Sequence, residues 1–136
     1  MIIVGGVIKN YDNKYLIIRE KKKEFYGKYN IPAGKLLENE LLIDGAKREI
    51  KEETGYDANI KGIVQIGNSK LFTSFIFYSE ISSEQVSYNT DEILSIEWLS
   101  YDEIKNNYNN LRSPELLLDA IKCVEDNKIY PLDIIK

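Results

Sequence analysis

The alternation of apolar and polar positions divides the chain into strands, one amphipathic helical stretch, further strands and a helical end. Ile2 to Ile8 and Lys14 to Arg19 are apolar runs joined by Tyr11-Asp12-Asn13, which predicts two strands and a hairpin-type turn. A short strand is expected to end at Asn30 and Ile31, ahead of Pro32. Over residues 40 to 54 the spacing becomes that of a helix, with Ile43, Ala46 and Ile50 in one stripe and Asp44, Lys47 and Lys51 elsewhere. Asn59 to Ile66 and Leu71 to Ile81 read as strands about a Gly67-Asn68-Ser69 turn, the second carrying the aromatic run Phe72, Phe75, Phe77, Tyr78. Ser82 to Asp91 is polar and predicts a loop, after which Ile93 to Leu99 returns to strand. Tyr101 to Asn106 predicts a short helix with Asp102 and Glu103 in its first turn. Ser113-Pro114-Glu115 opens a last helix, with serine as the cap and proline at the first position. Its stripe is Leu117, Leu118, Ile121 and Val124, Asn127 ends it, and Tyr130-Pro131-Leu132 begins a tail. No repeat or linker interrupts this order, so one domain over residues 1–136 is expected.

The central helix carries an anomaly. Glu49, Glu52 and Glu53 share one narrow sector at spacings i, i+3 and i+4, beside the apolar stripe. Like charges so placed cost a helix a few tenths of a kcal/mol per pair, so helix formation alone does not favour them. A divalent cation does, because hard cations take carboxylate oxygens, and magnesium completes its shell with water and substrate phosphates. The ordinary alternative is a solvated face paired with Lys47, Lys51 and Arg48. The glutamates abut the apolar stripe and lie between turn glycines, which favours the metal. Gly55 falls where a helix C-terminus calls for positive φ, and Gly34 follows Ile31-Pro32-Ala33, where glycine lets backbone approach a ligand.

Written out, the stretch is Gly34, five residues, Glu40, seven residues, then Arg48-Glu49-Ile50-Lys51-Glu52-Glu53-Thr54-Gly55-Tyr56. It resembles the Nudix box of the MutT-like hydrolases, which cleave diphosphates linked to another moiety. The resemblance implies an α+β or α/β fold, a mixed sheet sandwiched between helices, over nearly the whole chain. It implies Mg2+ or Mn2+ as cofactor, held by Glu49, Glu52, Glu53 and the carbonyl of Gly34. Arg48 would pair with Glu40 and Glu52 to hold the preceding loop, a task suited to a bidentate guanidinium; a weak surface ion pair is the alternative. Glu92, and after it Asp91, resembles the acidic residue that follows the box in many members and serves as ligand or base; solvating a loop is the alternative for both. Glu52, Glu53 and Glu92 are the candidate bases.

The sequence also departs from the common pattern. Ala33 replaces a first glycine, Leu37 replaces a glutamate whose role Glu38 would take, Asn39 stands for glycine, and Tyr56 for an aliphatic residue. These changes bear on loop shape and leave the carboxylates intact.

Composition narrows the partners. The chain has no histidine, which excludes Ser-His-Asp and Cys-His catalysis and histidine-ligated zinc. A net charge of −4 argues against a general nucleic-acid binder. Cys123, the one cysteine, cannot form an intramolecular disulfide and sits in an apolar helical pattern. The start lacks a basic leader region, and no run approaches the ~20 apolar residues of a membrane span. A cytoplasmic protein with no membrane or nucleic-acid partner is expected, with homodimer formation left open.

Substrate signals are less specific. Arg19, Lys21, Lys22, Lys23 and Lys28 make a basic stretch that would steer a polyphosphate, although charge runs are more often solvated loops. Tyr29 stands where many relatives have tryptophan and would stack on a heterocycle or serve structure. Leu111-Arg112-Ser113-Pro114, Ile121-Lys122-Cys123 and Tyr130-Pro131-Leu132 resemble the Nudix branch acting on thiamin and hydroxymethylpyrimidine pyrophosphates. Arg19, Tyr29 and Arg112 are therefore the candidate substrate contacts. The favoured substrate is a small aromatic or nucleotide-like pyrophosphate. The alternatives are a nucleoside triphosphate or ADP-ribose, or, in another class, a Nudix-fold regulator that binds its ligand without cleaving it.

Overall fold

The computed structural model describes residues 1–81, 85 and 88–136. Its strands are β1 (Ile2–Ile8), β2 (Tyr15–Glu20), β3 (Tyr29–Asn30), β4 (Ala33–Lys35), β5 (Ala58–Asn68), β6 (Thr73–Ile81) and β7 (Ile93–Leu99). Its helices are α1 (Leu42–Thr54), α2 (Tyr101–Asn106) and α3 (Pro114–Glu125). The expected mixed sheet is present, and a second sheet stands beside it. The first has strand order β4-β1-β6-β5, with β1 and β6 parallel and the outer pairs antiparallel. The second, β3-β2-β7, is wholly antiparallel.

Strand alternation sends side chains to opposite faces, and this produces the layers. Val4, Ile8, Leu16, Ile60 and Phe77 point toward α1, where Ala46 and Ile50 meet them. Val7, Ile17, Val64 and Ile76 point the other way and are covered by Ile104 of α2 and Leu117, Ala120 and Ile121 of α3. Burying a side chain such as Ile50 or Ile121, each fully enclosed, contributes roughly 1.5–3 kcal/mol. Cys123 is half-buried and packs against the α3 side of the core.

Several boundaries differ from the sequence expectation for local reasons. Helix α1 starts at Leu42 rather than at residue 40, because the Glu40 carboxylate is turned back to the Leu37 N–H and to Arg48. Strand β5 runs on to Asn68, and the turn moves to residues 69–72, where the Ser69 hydroxyl accepts the Leu71 and Phe72 N–H groups. Strand β4 was not expected; only three residues long and preceded by Pro32, it shows no alternation. Ser113 is the residue before α3, but its φ of 51° is left-handed and its side chain makes no capping bond. Helix α3 ends at Glu125, short of Asn127. The tail is not free: Tyr130 exchanges two backbone bonds of 2.9 Å with Ile63 of β5. Of the expected loop from Ser82 to Asp91, residues 82–84 and 86–87 lie outside the described residues. Among the described residues, no helix is long and apolar enough to cross a membrane.

Candidate active site

Strand pairing and helix packing bring the motif together. β4 pairs with β1 so that Gly34 stands opposite Val4, and α1 lies across both strands, with Ile50 seated on the sheet. This sets the polar edge of α1 over Gly34. A β-carbon at Gly34 would lie 2.2 Å from the Glu49 carboxyl carbon, so only glycine allows the approach. At the far end of α1, Gly55 adopts φ 75° and its N–H returns to the Lys51 carbonyl, which stops the helix.

A cavity of ≈740 Å³ opens there. Its lining is rich in acid, carrying Glu20, Glu49, Glu53, Asp91 and Glu92 together with Gly34. The segment bearing Asp91 and Glu92 is drawn in by backbone bonds from Lys21 to the Glu92 carbonyl and from Asn89 to the Glu52 carbonyl, of 3.0 and 2.9 Å. The lining also includes Phe72, Ile76, Leu116 and Leu117, and Arg112, which pairs with Glu20.

Glu53 is 5% exposed and accepts the Ala33 N–H at 2.7 Å. Burial raises its pKa well above the ordinary carboxylate value; the Ala33 bond opposes this, and the charges of Glu49, Glu20 and Glu92 add to it. Glu49 is also raised, first by burial, against the lowering effect of Arg48. Glu52 differs. Its side chain is 51% exposed and points to Arg48 at 3.3 Å, and it is absent from the cavity wall. The predicted cluster therefore splits, with Glu49 and Glu53 facing the cavity and Glu52 at its rim. As the side chains lie, no three carboxylates among the described residues converge in ligating geometry. The donor set nonetheless suits a hard cation: it is all oxygen, partly desolvated, and its members repel one another.

Arg48 is the hub of the loop before α1. It forms a two-pronged pair with Glu40, at 2.8 and 3.0 Å, and also reaches Glu49 at 2.8 Å and the Lys35 carbonyl at 3.0 Å. Asn39, in the same loop, takes φ 64°, a region asparagine tolerates. The Arg48 bond is the main cause holding the Glu40 carboxyl down at about 2, against an ordinary 4.5. A lowered folded pKa gives stability that is present above the unfolded value and lost as pH falls toward the folded one. Thermal melts should therefore fall as pH drops from about 4.5 to about 2, with a flatter acid limb in Glu40→Gln. Equal acid limbs in the two proteins would contradict this.

The substrate candidates separate as well. Arg112 is on the cavity wall; Arg19 and Tyr29 are not among the residues lining it. Arg19 lies over the Tyr29 ring at 5.3 Å and bonds the Gly27 carbonyl, while Tyr29 packs against the α3 side of the core. From the aromatic run, Phe72 lines the cavity and Phe77 is in the core. Glu38 is exposed and outside the cavity wall. Glu20 was missed because it sits in a lysine-rich stretch that reads as loop. A signal existed: it shares strand parity with Leu16 and Ile18, both fully buried.

Comparison with known proteins gives a consistent picture. The NUDIX domain family model matches residues 1–119. Phosphatase NudJ of Escherichia coli K12 is 32% identical over 143 residues, covering 98% of this chain and 89% of its own length. The 8-oxo-dGDP phosphatase NUDT18 of Danio rerio is 32% identical over 100 residues, 71% of this chain. The chain spans only 31–32% of the length of the animal relatives it matches. A NUDIX hydrolase from Nitrosomonas europaea superposes with a TM-score of 0.84 at 30% identity, over 99% of this chain and 95% of that one.

Proposed function

The chain belongs to the Nudix family, and on that premise we propose that it is a divalent-metal-dependent hydrolase of a diphosphate linkage. One observation carries the reading. A single cavity is lined by the desolvated carboxylates Glu49 and Glu53 beside Gly34 and also by Arg112 and apolar side chains. Glu49, Glu53 and the Gly34 carbonyl would hold magnesium, with Glu92 in the same lining and Glu52 at the rim. The bound cation would activate water and neutralise charge on the leaving phosphate.

The chain's own groups do the rest. Glu53, whose pKa burial raises, and Glu92, which lines the same cavity, are the candidate bases. Arg48 keeps Glu49 pointed inward and ties the loop through Glu40. Arg112 supplies N–H donors for a terminal phosphate, and Phe72 with Ile76 and Leu117 offers an apolar surface for the organic moiety.

The favoured substrate is a small aromatic pyrophosphate of the thiamin or hydroxymethylpyrimidine type, acted on in the cytoplasm without membrane or nucleic-acid partner. The activities for which two relatives are named, phosphatase and 8-oxo-dGDP phosphatase, are compatible with a diphosphate substrate. Phosphate and pyrophosphate release from a panel of diphosphates tests it. A higher kcat/KM for the small aromatic pyrophosphate than for ADP-ribose or a nucleoside triphosphate is expected. A clear preference for ADP-ribose would defeat the choice.

A further inference from the structure

Glu20 ends β2 with a side chain only 9% exposed, facing a cavity wall that already holds Glu49, Glu53 and Glu92. A buried carboxylate among others is costly unless paired. Its partner is Nη1 of Arg112, which comes from the turn before α3.

Arg112 is fixed in place from several sides. Its guanidinium carbon lies 3.8 Å from the centroid of the Phe25 ring, and its backbone N–H donates to the Tyr29 carbonyl at 2.9 Å. The next residue, Ser113, takes φ 51° without a capping bond, a left-handed conformation uncommon for non-glycine residues. Of the five guanidinium N–H donors, the Glu20 bond uses one, and among the described residues the structure records no other hydrogen-bond acceptor for them. The fork that receives a carboxylate also receives a phosphate.

We propose that Glu20 is a specificity-determining residue that holds the place of a substrate phosphate on Arg112. In the absence of an anion the two side chains neutralise each other, and a terminal phosphate entering the cavity must compete with Glu20 for the guanidinium. The inference rests on the diphosphate reading above. It carries a sign that a purely structural ion pair does not share. Removing the Glu20 charge should strengthen anion binding, whereas loss of a mere scaffold contact would loosen Arg112 and weaken it.

The test is the Kd of methylenediphosphonate, a diphosphate mimic that resists cleavage, measured by calorimetry in saturating magnesium. Wild type, Glu20→Gln, Arg112→Ala and the double variant are compared. Glu20→Gln should bind about fivefold tighter than wild type, about 1 kcal/mol, and most of that gain should vanish in the Arg112→Ala background. Should Glu20→Gln fail to fold, Glu20→Met, apolar and of similar length, is expected to give the same gain. Weaker or unchanged binding overturns the proposal, as does a gain that persists in full without Arg112. Equal binding by wild type and Glu20→Gln would leave the diphosphate reading standing. No binding by either would overturn both.

Discussion

Replacing Glu53 by glutamine is expected to lower turnover by at least about a hundredfold, the scale of losing a positioned catalytic group, while the fold survives. Glutamine keeps the shape and still offers an oxygen to the Ala33 N–H, which Glu53 accepts at 2.7 Å. What it removes is the charge that would hold a cation or take a proton. The stability consequence has a defined sign. The Glu53 carboxyl is raised well above its ordinary 4.5, chiefly by burial. A group raised in the folded state stabilises at low pH and loses that contribution as pH rises through its folded value. In chelator at neutral pH, Glu53→Gln should therefore melt at a higher temperature than wild type. Loss of activity together with a raised melting temperature separates a functional group from a structural one. Near-normal turnover would mean that this wall is not the active site.

Gly34→Ala is the second large effect. The added methyl would lie 2.2 Å from the Glu49 carboxyl carbon, at the end of a flexible side chain, so Glu49 can swing away without moving backbone. The Gly34 φ is not in the left-handed region, so alanine brings no backbone strain. Folding should be nearly unchanged, within about 1 kcal/mol as for mild substitutions. Turnover should fall about a hundredfold, because displacement of a catalytic group by about 1 Å has that cost. Kinetics beside a thermal melt check both halves. Retained activity would show that Glu49 need not meet the Gly34 backbone, and unfolding would show that the contact serves the fold instead.

Much of this molecule is legible in the order of its residues. Strands β1 and β7 and helix α2 span the expected residues because apolar runs bounded by polar residues mark the strands and an acidic first turn marks the helix; the Ser100 hydroxyl and Glu103 carboxylate satisfy each other's backbone N–H. The carboxylates of α1 were visible because three glutamates at helical spacing oppose helix stability without an offsetting cause. Their division was not. Glu52 lies outside the cavity because Arg48, bound to Glu40, draws it toward the surface, and that depends on a loop whose shape no periodicity reports. Tyr29 and Arg19 resemble ligand contacts by type, yet they stack on each other across β2 and β3. Glu20 joins Arg112 across a sequence separation of 92 residues, a pairing that only the folded topology creates.

This cavity is proposed to cleave diphosphates with a divalent cation. The direct measurement is phosphate or pyrophosphate release across the diphosphate panel, in magnesium or manganese and again in excess chelator. Turnover of at least one member is expected with either metal, and its loss in chelator. Full activity in chelator would contradict the metal requirement. Binding of panel members without any release would contradict hydrolysis and identify a ligand-binding regulator instead.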